Sequence, residues 1–121
     1  MRVKRIVANI SSRDPSLARE FYMKILDLDL LMDHGWIHTY GSSETMGVQV
    51  SIASEGGSGT AVPALSIEVD DLDEVLRRVR KQNIAVEYGP AEEPWGVRRF
   101  YVRDPNGVLL NVLEHSRRTA L

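Results

Sequence analysis

The sequence predicts an α+β fold made of two βαβββ units. Three features predict it: the chain length, a strand-then-helix pattern that recurs after 57 residues, and a series of short strand patterns behind each predicted helix. At 121 residues, 43% hydrophobic and 26% charged, the chain suits one domain with a buried core and is too short for two independent ones. The repeat is carried by Asn9-Ile10 against Ser66-Ile67 and by Asp14 against Asp71, each pair 57 positions apart in the same local setting.

The first unit is expected over residues 3–54. Residues 4–11 read as a strand. Asp14 is placed to cap a helix that Pro15 can open, and Leu17, Phe21 and Ile25 recur at helical spacing. Short strands are expected at about residues 29–33, 36–40 and 47–53. Residues 55–62 begin Glu55-Gly56-Gly57-Ser58-Gly59-Thr60, a composition expected of a flexible linker.

The second unit is expected over residues 63–115. Residues 64–69 form its first strand. Asp71 then caps a helix whose stripe Leu72, Val75, Leu76 and Val79 follows the i, i+3, i+4, i+7 rule. Asp73 with Arg77, and Glu74 with Arg78, supply acid-to-base pairs one turn apart on the solvent side. Strands are expected at residues 84–88, 97–103 and 108–113. Asp104-Pro105-Asn106-Gly107 makes the last turn, since proline presets φ and glycine accepts positive φ. The tail, residues 116–121, lacks periodicity and is expected to fray.

Charge and composition exclude several functions. Fifteen basic and 17 acidic residues give a net charge of −2 with no basic footprint, so nucleic acid is not an expected partner. The absence of cysteine removes disulfides, thiolate metal sites and cysteine nucleophiles. The first apolar run, Ile6-Val7-Ala8, is far short of a secretory segment, and no run approaches the ~20 residues of a membrane span. A cytoplasmic protein without a membrane partner is the expectation.

Three segments carry a resemblance. Ser11-Ser12-Arg13-Asp14-Pro15-Ser16-Leu17-Ala18-Arg19-Glu20-Phe21-Tyr22, Ile67-Glu68-Val69-Asp70-Asp71-Leu72-Asp73, and Trp95-Gly96-Val97-Arg98-Arg99-Phe100-Tyr101-Val102-Arg103-Asp104-Pro105-Asn106-Gly107 resemble hallmark segments of the vicinal-oxygen-chelate superfamily of glyoxalases, bleomycin-resistance proteins and extradiol dioxygenases. Each is weak alone; the three in order cover nearly the whole chain. The resemblance implies half-barrel sheets around a cavity, and in the enzymes a divalent metal held by four side chains. Matched to this sequence, those positions fall on Val7, on Gln49 or Ser51, on Ala64 and on Asn111. A divalent ion needs imidazole or carboxylate ligands, and this set offers none. No metal and no other cofactor is therefore expected. An offset of one residue brings in Ala8, Leu65, Leu110 or Val112, which are no better.

Alternation from those positions assigns the cavity side of the strands. Asn9, Ser11, Gln49, Ser51, Ser66 and Glu68 fall there, with Arg99, Tyr101 and Asn111 from the last two strands. The opposite face, with Ile10, Leu65, Ile67, Leu110 and Val112, is almost wholly aliphatic. Trp95 is either a ring at the cavity mouth or part of the core. Arg98 and Arg99 either receive an anionic ligand or form salt bridges, with Glu92 or Glu93 as partners. Glu114-His115 reads as a solvated strand end, and His34 and His38 flank Gly35-Trp36 with no role in the family's pattern.

The expected function is metal-independent binding of a planar or aromatic small molecule, as in the bleomycin-resistance branch. The alternatives are a lyase, epimerase or dioxygenase using Glu68, His38 or Tyr101 as acid or base, and an accessory domain with a vestigial cavity. The edges of half-barrel sheets lead us to expect a homodimer.

Overall fold

The computed structural model describes Arg5, residues 7–45 and residues 51–116. Six strands form two sheets among these residues: β1 (Asp29–Asp33) pairs with β2 (His38–Gly41), and β3 (Leu65–Glu68), β4 (Val86–Glu92), β5 (Val97–Arg103) and β6 (Leu109–His115) form a sheet in the order β3-β6-β5-β4. β3 runs parallel to β6, and the other neighbours are antiparallel. The helix between β3 and β4, α1 (Leu72–Lys81), completes a βαβββ unit.

α1 forms where periodicity places it. The Asp71 carboxylate accepts from the Glu74 amide at 3.1 Å, and Glu114 Oε1 accepts from the Leu72 amide at 2.7 Å, so two carboxylates satisfy the first turn. Asn83, at φ 58, ends the helix, and the Ile84 amide returns to the Val79 carbonyl at 3.0 Å. Leu72, Val75, Leu76 and Val79 are all buried. Of the two expected acid-to-base pairs only Glu74–Arg78 forms, at 2.9 Å. Arg77 also turns to Glu74, at 2.7 Å, because Asp73 is engaged by Arg98 at 2.8 Å.

The first helical segment departs from the expected regular helix. Asp14 caps it through the Ser16 amide at 3.1 Å, a single 3-10 turn covers Pro15–Ala18, and a π-helical stretch covers Glu20–Ile25. The buried stripe is Ala18, Phe21, Tyr22 and Ile25, while Leu17 stays 43% exposed. The wider turn brings Phe21 and the adjacent Tyr22 inward together. Tyr22 has a reason to face inward: its hydroxyl donates to Asp104 Oδ2 at 2.9 Å, and Asp104 Oδ1 accepts from the Asn106 and Val108 amides at 2.8 and 2.9 Å. Burial and this bond push the Tyr22 hydroxyl pKa far above its ordinary value.

One core results. The segment before β1 and α1 lie against the same face of the four-stranded sheet, packing on Phe100, Val102, Leu110 and Val112. Leu65, Ile67 and Val69 join the same cluster, which is the aliphatic face that alternation assigns.

The first unit has fewer strands than expected. Residues 7–12 are irregular and mostly exposed, because a strand exists only through its ladder and the described residues give this segment no partner. The strand expected at 47–53 shows no pairing at 51–53, and its positions 47–50, with Val48, Gln49 and Val50, lie outside the described residues, as do Lys4, Ile6 and residues 117–121. β2 begins at His38 rather than Trp36, since Gly35 and Trp36 form the hairpin turn, closed by the His34 amide on the Ile37 carbonyl at 3.0 Å.

Candidate functional site

Because the even-numbered residues of β5 and β6 enter the core, the odd-numbered ones emerge on the helix-free face. Register sets Ser66, Asn111 and Tyr101 side by side across β3, β6 and β5, and sets Glu68, Leu113 and Arg99 in the next row. Four expected site residues, Ser66, Arg99, Tyr101 and Asn111, are thus brought into neighbouring positions. Trp95, in the turn before β5, joins them.

Arg99 is the centre of the arrangement. Its side chain is 4% exposed, and Nε donates to Glu93 Oε2 at 2.7 Å, an ion pair whose acid is also 4% exposed. The guanidinium lies 5.1 Å from the Trp95 and Tyr101 ring centroids and 5.3 Å from that of Tyr88, so three rings surround one cation. Glu93 also accepts from Tyr88 at 2.7 Å and from Ser58 at 2.8 Å. Burial pushes the Glu93 carboxyl up, but its bonds to Tyr88, Arg99 and Ser58 outweigh that and hold it below the ordinary value.

The remaining guanidinium donors reach the segment expected to be a loose linker. Residues 55–61 lie across the helix-free face as a strap. Arg99 Nη1 donates to the Gly56 carbonyl at 2.8 Å, Nη2 to the Gly57 carbonyl at 3.2 Å, and the Tyr101 hydroxyl meets the Ala61 carbonyl at 3.1 Å and Thr60 Oγ1 at 2.9 Å. The strap is pinned internally by Gly56 N to Thr60 O at 2.8 Å and Thr60 N to Gly57 O at 3.0 Å. Its glycines permit close approach. A Cβ on Gly56 would collide with the Ala61 carbonyl and the Tyr101 hydroxyl, and one on Gly57, at φ +88, would sit 2.6 Å from the Trp95 ring.

Asn111 is different in kind. It is 8% exposed; Nδ2 donates to Ser66 Oγ at 3.1 Å, and Oδ1 is buried without a hydrogen-bond partner among the described residues. A carbonyl in that state is a ready acceptor for an incoming donor.

Other expected site residues are not drawn in. Asn9, Ser11 and Ser51 are exposed and make no hydrogen bond or ion pair with this cluster, and Gln49 lies outside the described residues. Glu68 shares the face but stands at its exposed edge, paired with His115 at 2.8 Å. Glu114, expected to be solvated, is half-buried in its role at the start of α1. Arg98 turns to Asp73 rather than to Glu92 or Glu93. The His38 side chain is tucked into the first unit, between Asp33 at 3.1 Å and the Tyr40 hydroxyl at 3.3 Å, and the residue as a whole is half-buried. The contributions of Tyr88, Ser58 and Thr60 went unread in the sequence, and Glu93 was read only as one of two salt-bridge options.

The positions matched to the family's metal ligands do not fit a metal. Val7 and Ala64 have no donor atom, and Asn111 supplies one neutral amide oxygen. Among the described residues no group of three or more His, Cys, Asp or Glu side chains is placed to hold an ion.

The family profile for the Glyoxalase/Bleomycin resistance protein/Dioxygenase superfamily matches residues 3–112. The chain belongs to this superfamily. A search of curated protein sequences found no match. Among solved structures, the superfamily chain is similar to TnmS3, an antibiotic binding protein from Streptomyces sp. CB03234, at 22% identity over 96% of this chain and 97% of that one, with a TM-score of 0.65. It is similar to TioX from Micromonospora sp. ML1 at 21% identity over 97% and 100%, TM-score 0.62. It is also similar to a lactoylglutathione lyase from Agrobacterium tumefaciens at 24% identity over 85% and 86%, TM-score 0.61. At these identities the likeness shows the fold alone. Among the described residues no helix is long and apolar enough to cross a membrane.

Proposed function

We propose that this protein is a cytoplasmic, metal-independent homodimer that sequesters a planar or aromatic small molecule on the helix-free face of the second unit. The observation that carries the reading is Asn111 Oδ1, a buried carbonyl with no donor among the described residues, at the middle of a row with Ser66 and Tyr101. Native interiors rarely leave such an atom unsatisfied, and a ligand N–H or O–H supplies what the chain does not. Trp95 is 52% exposed and backed by Arg99, so it presents one flat face to a ring. That TnmS3 is an antibiotic binding protein is compatible with this reading. The enzymatic alternative has less support: Glu68 is tied up at an edge, His38 belongs to the other unit, and the Tyr101 hydroxyl is held by the strap.

The test is a panel of flat aromatic antibiotics and metabolites followed by fluorescence in a Trp36→Phe background, which isolates Trp95. A binder should change Trp95 emission, and Asn111→Leu should weaken a donor-bearing binder by about tenfold, the worth of one unmade hydrogen bond in a buried site. Binding that ignores both Asn111→Leu and Trp95→Phe would move the site elsewhere. A panel with no binder at all would favour a vestigial cavity.

A further inference from the structure

The strap places two neighbouring peptide carbonyls on Arg99 where a ligand on this face would lie. They are neutral acceptors, and the cation they meet is already neutralised by Glu93 at 2.7 Å, with both partners almost fully buried. An anionic group in their place would bury a net negative charge beside Glu93, whereas a neutral carbonyl would not. Ring edges and faces from Trp95, Tyr88 and Tyr101 wall the same spot.

From this we infer that Arg99 is a subsite for neutral carbonyl acceptors of the ligand, and that residues 55–61 are a displaceable internal occupant of it. The inference rests on the binding role proposed above and adds the ligand's chemistry: a flat, uncharged molecule with carbonyl groups, whose entry requires the strap to leave. The strap is suited to leaving. Its hold on the sheet is a handful of hydrogen bonds from Arg99, Tyr101 and Ser58, with no large apolar side chain between Glu55 and Thr60. Closed, it keeps Arg99 and Glu93 satisfied without ligand.

Gly56→Ala tests this without altering the subsite, because the added Cβ meets the Ala61 carbonyl and Tyr101 hydroxyl and cannot be seated. Gly57→Ala, blocked by Trp95 and by its positive φ, is the second variant should the first fold poorly. In either variant the Thr60 amide, bonded to the Gly57 carbonyl in the closed strap, should exchange with solvent faster than in the parent protein. The probes are capped diglycine, N-acetylglycylglycinamide, as the neutral dicarbonyl, and N-acetylglycine as the anion of similar size, each followed by NMR shifts at Arg99. The open variant should bind the neutral probe about tenfold tighter than the parent, as expected when the competent state rises from a tenth to nearly all of the population. It should also prefer the neutral probe to the anion. Equal affinity in parent and variant, preference for the anion, or no binding of either probe to the open variant would overturn the inference. The aromatic panel on the parent protein reports on the binding role separately, so its hits can stand when these probes fail.

Discussion

Arg99 and Glu93 show how a buried charge is made tolerable and where it becomes fragile. An isolated ion in that position would cost several kcal/mol, and the pair persists because rings, strap carbonyls and the Tyr88 and Ser58 hydroxyls satisfy what the two ions leave over. Glu93→Gln keeps the shape and removes the countercharge. It should destabilise the protein by roughly 3 kcal/mol in urea unfolding, the usual cost of breaking one partner from a buried pair. A change under about 1 kcal/mol would mean that the strap and rings alone hold the cation. The pH dependence follows from the depressed Glu93 carboxyl. Its stabilisation is fully present above the ordinary glutamate pKa of about 4.3 and is lost as pH falls through the lower folded value. Trp95 emission in the Trp36→Phe background should therefore shift in acid at a pH below 4.3, and Glu93→Gln should abolish that step. Position Arg99 was legible in the sequence because strand alternation sets its face, but its partner was not. Glu92 and Glu93 differ only by which of them the turn before Trp95 carries inward.

Elements differ in how much of their own structure they encode. The Asp71 cap and the buried stripe of α1 were legible, since they are local properties of residues 71–79, whereas the second carboxylate at its first turn, Glu114, comes from 42 residues away and was not. The strands β5 and β6 were legible for the same reason, as alternation separates Phe100, Val102, Leu110 and Val112 from Arg99, Tyr101 and Asn111. The strap was not. Glycine-rich composition is the same for a chain that is loose and for one that must pass close to a hydroxyl and a ring, and only the tertiary contact tells them apart. The first helical segment was legible in part of its buried face, since Phe21 and Ile25 are buried as expected, but Leu17 is exposed and Tyr22 turns inward instead, because it answers to Asp104, 82 residues away. Two motifs that looked separate in the sequence, Phe21-Tyr22 and Asp104-Pro105-Asn106-Gly107, are thus one device that clamps this segment to the β5–β6 turn. Tyr22→Phe should cost about 1–3 kcal/mol, since it leaves the buried Asp104 oxygen with only the long Asn106 side-chain contact at 3.4 Å. Loss of less than about 0.5 kcal/mol in urea titration would show that the turn holds Asp104 by itself.

At the scale of the molecule, one sheet face is closed by helices and the other, among the described residues, by a strap, and the two outer strands of the four-stranded sheet are unlike. β4 carries two register shifts, Pro90 and the acids Glu87 and Glu92, all of which discourage further pairing. β3 has no proline and no register shift within Leu65–Glu68, its one acid, Glu68, stands at the end of the strand, and its outer side is unpaired among the described residues. Large apolar side chains are also exposed away from the site, with Trp36 at 77%, Leu31 at 62% and Ile52 at 93%. A chain of this length buries a smaller fraction of its surface than larger domains do, so an open sheet edge together with exposed apolar rings is an arrangement that a second copy stabilises. The most economical closure is a twofold dimer, in which each copy meets the same surface of the other. Light scattering at micromolar concentration should then give twice the chain mass. Monomer mass across that range would instead leave β3 guarded only by its shortness, and would place the binding face within one chain.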